Sequence, residues 1–217
     1  MPTTKQQNLV NCGPQKESDY MSVMALDIET KNMSYEIGGF GNTHMFQVST
    51  VATWDGSTGT VYVDEPVDTF AKSGHVVKSL SDLKYDLDEH FEKGGVILGH
   101  NIVSFDLPIL KNSMDIYCIR KYLDEKRYID TSRILTASHG ERFKLQNLGE
   151  NTLKQNKLMD SADAPKLWKM GRFDEVVEYC LKDTQIVYDL WKYGQDNGVV
   201  KAFSIEKEEF VELEVDW

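Results

Sequence analysis

The sequence predicts an α/β protein with a mixed central β-sheet flanked by helices. Strand-like runs crowd the first third of the chain, two of them joined by the hairpin signal Asp55-Gly56-Ser57. From residue 81 onward, apolar runs of strand length alternate with helical patterns, the order expected of layered α/β proteins. A length of 217 residues suits one main domain with a sizeable core.

Residues 1–20 are polar and read as a flexible N-terminal tail, ahead of a domain spanning 21–195. Met21–Asp27 (MSVMALD) is an apolar run of strand length. Gly38–Asn42 (GGFGN) reads as a flexible turn, not a phosphate cradle. Met45–Trp54 and Thr58–Val63 alternate as strands do. A helix is expected after Ser81, its candidate N-cap, with Leu83, Leu87 and Phe91 four apart and Gly94 as the stop. Val96–Leu98 reads as a buried strand and Asn101–Leu110 as a turn leading into a helix. Tyr128–Asp130 reads as the end of a further strand, with Asp130 or Thr131 capping the next helix. Leu145–Leu153 and the long Phe173–Tyr193 are helical in pattern. The segment 196–217 carries seven acidic residues against Lys201 and Lys207 and reads as a solvated acidic C-terminal segment.

Composition excludes several classes. At 41% hydrophobic and 27% charged, the chain is globular rather than disordered or fibrous. It has neither a secretory signal nor an apolar run near the roughly 18–20 residues of a membrane helix, so an intracellular, non-secreted protein with no membrane partner is expected. Cys12, Cys118 and Cys180 form no CxxC pair and read as free thiols. There is no GxxxxGK[ST] loop, and the acidic run Asp82, Asp86, Asp88, Glu89 and Glu92 lacks the spacing of a calcium loop. With 35 acidic against 24 basic residues, the formal charge is −11, which argues against extensive coating of a nucleic acid.

Three short motifs carry candidate chemistry. Asp27-Ile28-Glu29-Thr30 ends the first strand, where alternation turns Asp27 and Glu29 to one face. GHNIVSFDLP (Gly99–Pro108) sets Asp106 at a strand-to-helix junction. Tyr179-Cys180-Leu181-Lys182-Asp183 lies in the long helix, with Tyr179 and Asp183 four apart on one face. Singly, each is commonplace: an early helical Asp is usually a cap, and a tyrosine–aspartate pair is usually a surface feature. Their occurrence together, in order and at nearly equal intervals, is not. Converging carboxylates repel unless cations sit among them. Hard oxygen ligands suit Mg²⁺ or Mn²⁺, and two such ions ~3.5–4 Å apart can clamp an in-line attack on a phosphodiester.

DIET, HNIVSFDLP and YCLKD resemble the three motifs of the DnaQ-like 3′–5′ exonucleases, the DEDD group with a ribonuclease H-like fold. The wording is especially similar to the proofreading exonuclease domain of family B DNA polymerases. The resemblance spans roughly Met21–Tyr193, and Tyr179, four residues before Asp183, implies the DEDDy subgroup. The DEDDh subgroup would have a histidine where this chain has Glu178. The resemblance implies a metal held by Asp27, Glu29 and Asp183 near the attacking water, and a second held by Asp27 and Asp106 near the leaving 3′ oxygen. It implies that Tyr179 orients the water and that Thr30, Asn101 and Phe105 contact the terminal nucleotide. Phe105 has a second reading, as a core aromatic. Asp130-Thr131 also resembles a family feature and reads as a helix cap, not a ligand. Within 217 residues there is no room for palm, fingers and thumb, so a self-contained nuclease is expected.

The expected function is therefore metal-dependent 3′–5′ exonuclease action on single-stranded 3′ ends, DNA favoured over RNA, releasing nucleoside 5′-monophosphates. A non-catalytic nucleic-acid-binding domain, or a proofreading subunit that works with a polymerase or another replication or repair protein, is the alternative. Between Arg142 and Arg172, seven basic residues face three acidic ones, with Phe143 and Trp168 interleaved. That stretch reads either as a stacking groove for nucleic acid, with Lys182 nearby, or as solvated helix faces around core aromatics.

Overall fold

The computed structural model describes residues 22–70, 75–155 and 163–217. The expected tail at 1–20, Cys12, Lys157 and Asp160 lie outside the described residues. Strand β1 (Val23–Thr30) sits inside a six-stranded sheet with β2 (Val48–Trp54), β3 (Gly59–Val63), β4 (Val76–Ser79), β5 (Val96–Gly99) and β6 (Tyr128–Asp130), in the order β4-β3-β2-β1-β5-β6. The pairings of β1 with β2 and of β2 with β3 are antiparallel; those of β1 with β5, β5 with β6, and β3 with β4 are parallel. The sheet is mixed, as the sequence predicts. The hairpin signal also holds: Trp54 pairs with Gly59, and the Asp55 carboxylate accepts the N–H groups of Ser57 and Thr58 at 2.8 and 2.7 Å.

Alternation along β1 divides the core. Leu26 and Ile28 pack with helices α1 (Leu83–Glu92), α2 (Asp106–Ser113) and α3 (Cys118–Asp124). Ala25 faces the opposite layer, where Leu135 of α4 (Thr131–His139) and Leu145 and Leu148 of α5 (Leu145–Leu148) pack with Ile186, Val187 and Leu190. The last three belong to helix α7 (Phe173–Asn197), which follows the short α6 (Ala164–Lys169). Helix α7 starts with Asp174 and Glu175 in its first turn and stops at Gly198, whose φ of 71° suits glycine. It lies across β1 and β2, so its inner stripe faces the same side of β1 as Asp27 and Glu29.

Expectations for two elements are corrected, and a third is met. Ser81 does not cap α1: a short 3-10 turn (Leu80–Asp82) precedes the helix, and Ser79 accepts the Ser81 N–H at the start of that turn. The helix expected over Leu145–Leu153 is present over that whole range, as α5 continued by a π-helical turn at Gly149–Leu153. The C-terminal segment is not merely solvated. It forms a hairpin of β7 (Val199–Ser204) and β8 (Glu209–Glu214), whose Val200, Ala202 and Leu213 are buried against α7 and its neighbours. Glu212 and Glu214 flank the buried Leu213 and point outward, so composition concealed a strand pattern. No helix among the described residues is long and apolar enough to cross a membrane.

Candidate active site

Strand β1 runs through Thr30, with a register shift between Glu29 and Thr30, after which Thr30 pairs with Val48 of β2. Asp27 is half-buried, and Glu29 is buried on the same face. The loop after β5 brings Asp106 to this strand: its carboxylate accepts the Ile28 N–H at 3.1 Å, between the two acids. Gly99 makes that approach possible, since a Cβ there would collide with Ile102. From the other side, α7 presents Tyr179, Cys180 and Asp183, all buried. The Cys180 thiol donates towards the Asp27 carbonyl at 3.4 Å and its carboxylate at 3.5 Å, which fixes the approach of α7 to β1.

Tyr179 reports the convergence. Its phenol is raised far above the ordinary range, first by burial and then by the charges of Asp183, Glu29 and Asp27, and it hydrogen-bonds to Asp183. The same three carboxylates act on Cys180, whose thiol is raised chiefly by burial. Asp106 is pushed up to about 7, mainly by burial. Its own N–H and that of Ile28 oppose the shift, and the charge of Asp130 adds to it. Asp27, Glu29 and Asp183 thus act on one phenol, and Asp106 is hydrogen-bonded to the strand between the first two. Their donors are hard oxygens on buried or half-buried side chains, which fit a Mg²⁺- or Mn²⁺-type ion in chemistry. Among the described residues, no group of three or more His, Cys, Asp or Glu is arranged as a ready-made metal site. Binding there requires inward adjustment of side chains that otherwise repel one another.

The remaining expected residues divide. Asn101 has φ 71°, a left-handed conformation that asparagine tolerates, and its N–H donates to Asp130 at 2.8 Å. Phe105 is half-buried and packs edge-on against Phe46 at 5.4 Å and Phe40 at 6.0 Å, so it is partly core and partly rim. The Thr30 hydroxyl donates to the Asn32 carbonyl at 2.9 Å, closing the turn after β1. Among the described residues between Arg142 and Arg172, no aromatic ring stands open for stacking. Phe143 and Trp168 are core residues, 3% and 5% exposed. Lys166 pairs with Asp163, Lys169 with Glu36 and Arg172 with Glu175, and Lys182 donates to Gln155 at 2.7 Å.

Sequence reasoning read Asp130 as a cap alone. It does cap α4 through the Arg133 N–H at 3.1 Å, yet it also accepts from Asn101 and from Val103 (3.0 Å). One buried carboxylate therefore holds the loop that delivers Phe105 and Asp106. The unsatisfied N–H groups of a tight HNIVSF turn were the available signal. Cys180 gave no signal beyond its place in the motif.

A family model described as RNase_H superfamily matches residues 24–203. No curated protein matches the chain. RNase H-like domains bind nucleic acid, and their nucleases generally use divalent metal ions. The matched span includes the six-stranded sheet except Val23 and every acidic residue of the site, and on that match the chain belongs to the RNase H superfamily.

Proposed function

We propose that the protein is a 3′–5′ exonuclease of the DEDDy type, acting on single-stranded 3′ ends with DNA favoured. The observation that carries this reading is the shared field on Tyr179: acids from β1 and α7 act on one buried phenol, with Asp106 bonded to the strand between Asp27 and Glu29. Two divalent cations, Mg²⁺ or Mn²⁺, held by Asp27, Glu29, Asp106 and Asp183, would supply positive charge that acidifies the attacking water and offsets charge on the phosphate. Tyr179 stays protonated at neutral pH, so it orients water by hydrogen bonding and does not serve as the base. Phe105 offers a ring edge to the terminal base, and the Asn101 backbone geometry sets that ring's position. Asp130 is a positioning residue for both. In the reaction, a water oxygen bonds to phosphorus and the bond to the neighbouring 3′ oxygen breaks, releasing a nucleoside 5′-monophosphate.

The test is a 5′-labelled single-stranded oligonucleotide, DNA or RNA, incubated with Mg²⁺ or Mn²⁺. Stepwise shortening is expected, with a blocked 3′ end resistant. Asp27→Ala and Asp183→Ala should each lower the rate on the order of 10²–10³-fold. Tyr179→Phe should lower it about ten- to a hundredfold while keeping metal affinity. No shortening in either metal, or unchanged shortening by both alanine variants, would sink the proposal.

A further inference from the structure

Helix α2 links the candidate site to a second cleft. Its first residue is Asp106, and Lys111 and Asn112 near its other end line a cleft of about 460 Å³ with His44, Asp115, Tyr117 and Arg120. In a chain with an excess of eleven acids, this lining carries two basic side chains, Lys111 and Arg120, against one acid, Asp115, with the His44 ring beside them. Lys111 has no ion-pair partner among the described residues. Arg120 has only a long contact to Asp124 at 3.5 Å, with both side chains about two-thirds exposed, so its charge is largely free to act. The cleft beside Glu178 offers a contrast, since its Lys166 and Arg172 are paired with Asp163 and Glu175.

Aromatic rings mark the path between site and cleft. Phe105, next to Asp106, meets Phe40 of the GGFGN turn, which is 67% exposed. The same loop is fastened to α2 by Asn112 Nδ2 donating to Thr43 Oγ1 at 2.7 Å. His44 follows at the cleft, and the Tyr117 ring stands 70% exposed at its rim. Exposed rings interleaved with unneutralised cations fit an unpaired nucleic-acid strand, whose bases stack and whose phosphates are anionic. An eight-residue helix spans ~12 Å, the length of roughly three stacked nucleotides at ~3.4 Å each.

We propose that this cleft is a second subsite for the substrate, holding the phosphates and a stacked base of the single strand a few nucleotides 5′ of the terminal residue. The proposal rests on the exonuclease reading for its direction, and its test separates the two. Hydrolysis of dT10 is compared with that of the p-nitrophenyl ester of thymidine 5′-monophosphate, which is too short to reach the cleft. Binding of labelled dT10 and rU10 is measured by fluorescence anisotropy in EDTA. Lys111→Glu/Arg120→Glu and Tyr117→Ala should raise KM for dT10 about fivefold or more and weaken anisotropy binding to match. Neither should change kcat or hydrolysis of the ester. Lys192→Ala, on the exposed face of α7, is the charge control and should alter nothing. Wild-type binding of both oligonucleotides by the two cleft variants would overturn the subsite, as would equal losses on dT10 and the ester. If the wild type hydrolyses neither substrate, the exonuclease reading fails, and anisotropy alone decides whether the cleft holds nucleic acid.

Discussion

Asp106 sets charge against burial within the site. Its carboxyl is pushed up to about 7, whereas an unfolded chain would ionise it near 4. The folded protein therefore retains a proton that the unfolded chain releases between about pH 4 and 7. By linkage, the stabilisation this group gives is fully present below about pH 4 and is lost as pH rises towards 7. In metal-free protein the loss should amount to a few kcal/mol, on the order set by the shift. Melting temperatures in EDTA across this range should fall with pH more steeply for the wild type than for Asp106→Asn; parallel profiles would contradict the assignment. Tyr179 presents the opposite case. Its phenol is raised far above the ordinary range by burial and by the charges of Asp183, Glu29 and Asp27, so it stays neutral and adds no charge to the site.

At the level of elements, the site depends on how closely the β5–α2 loop approaches β1. A Cβ on Gly99 would meet the Ile102 methyl and come within 3.1 Å of the Leu26 carbonyl. Gly99→Ala should therefore cost about 1–3 kcal/mol by overpacking and displace the loop that holds Asp106. Urea unfolding measures the first effect. Because the collision is with Ile102, the double variant Gly99→Ala/Ile102→Ala should lose less stability than the sum of its parts, and strict additivity would refute the contact. The loop is also tied to Asp130 by two backbone N–H groups. The strand-to-helix junction was legible because apolar periodicity and capping chemistry are local. The three-way role of Asp130 was not, since its partners lie up to 29 positions away.

Across the molecule, negative charge is sorted. The C-terminal hairpin displays Glu206, Glu208, Glu209, Glu212 and Glu214 to solvent while burying Val200, Ala202 and Leu213. It also receives hydrogen bonds from Asn147 and Thr152, and Ser204 donates to Glu141. A chain cut after Asn197 would uncover the α7–α5 cluster, so it should lose cooperative unfolding at 25 °C by circular dichroism. A truncated chain that melts with the full-length protein would show that the hairpin is peripheral. Strands β1, β2, β3, β5 and β6, helices α1, α2, α4 and α7, and the three acidic motifs could be read along the chain, because alternation, capping and residue chemistry are short-range; β4, α3, α6 and the β7–β8 hairpin were not. Which aromatics are core and which are rim could not, nor could the fate of each lysine or the burial that shifts Asp106 and Tyr179. Those properties come from contacts between residues far apart in sequence. Phe143 and Phe40 look alike in the string; one is sealed beneath α7 and its neighbours, and the other stands open beside Phe105.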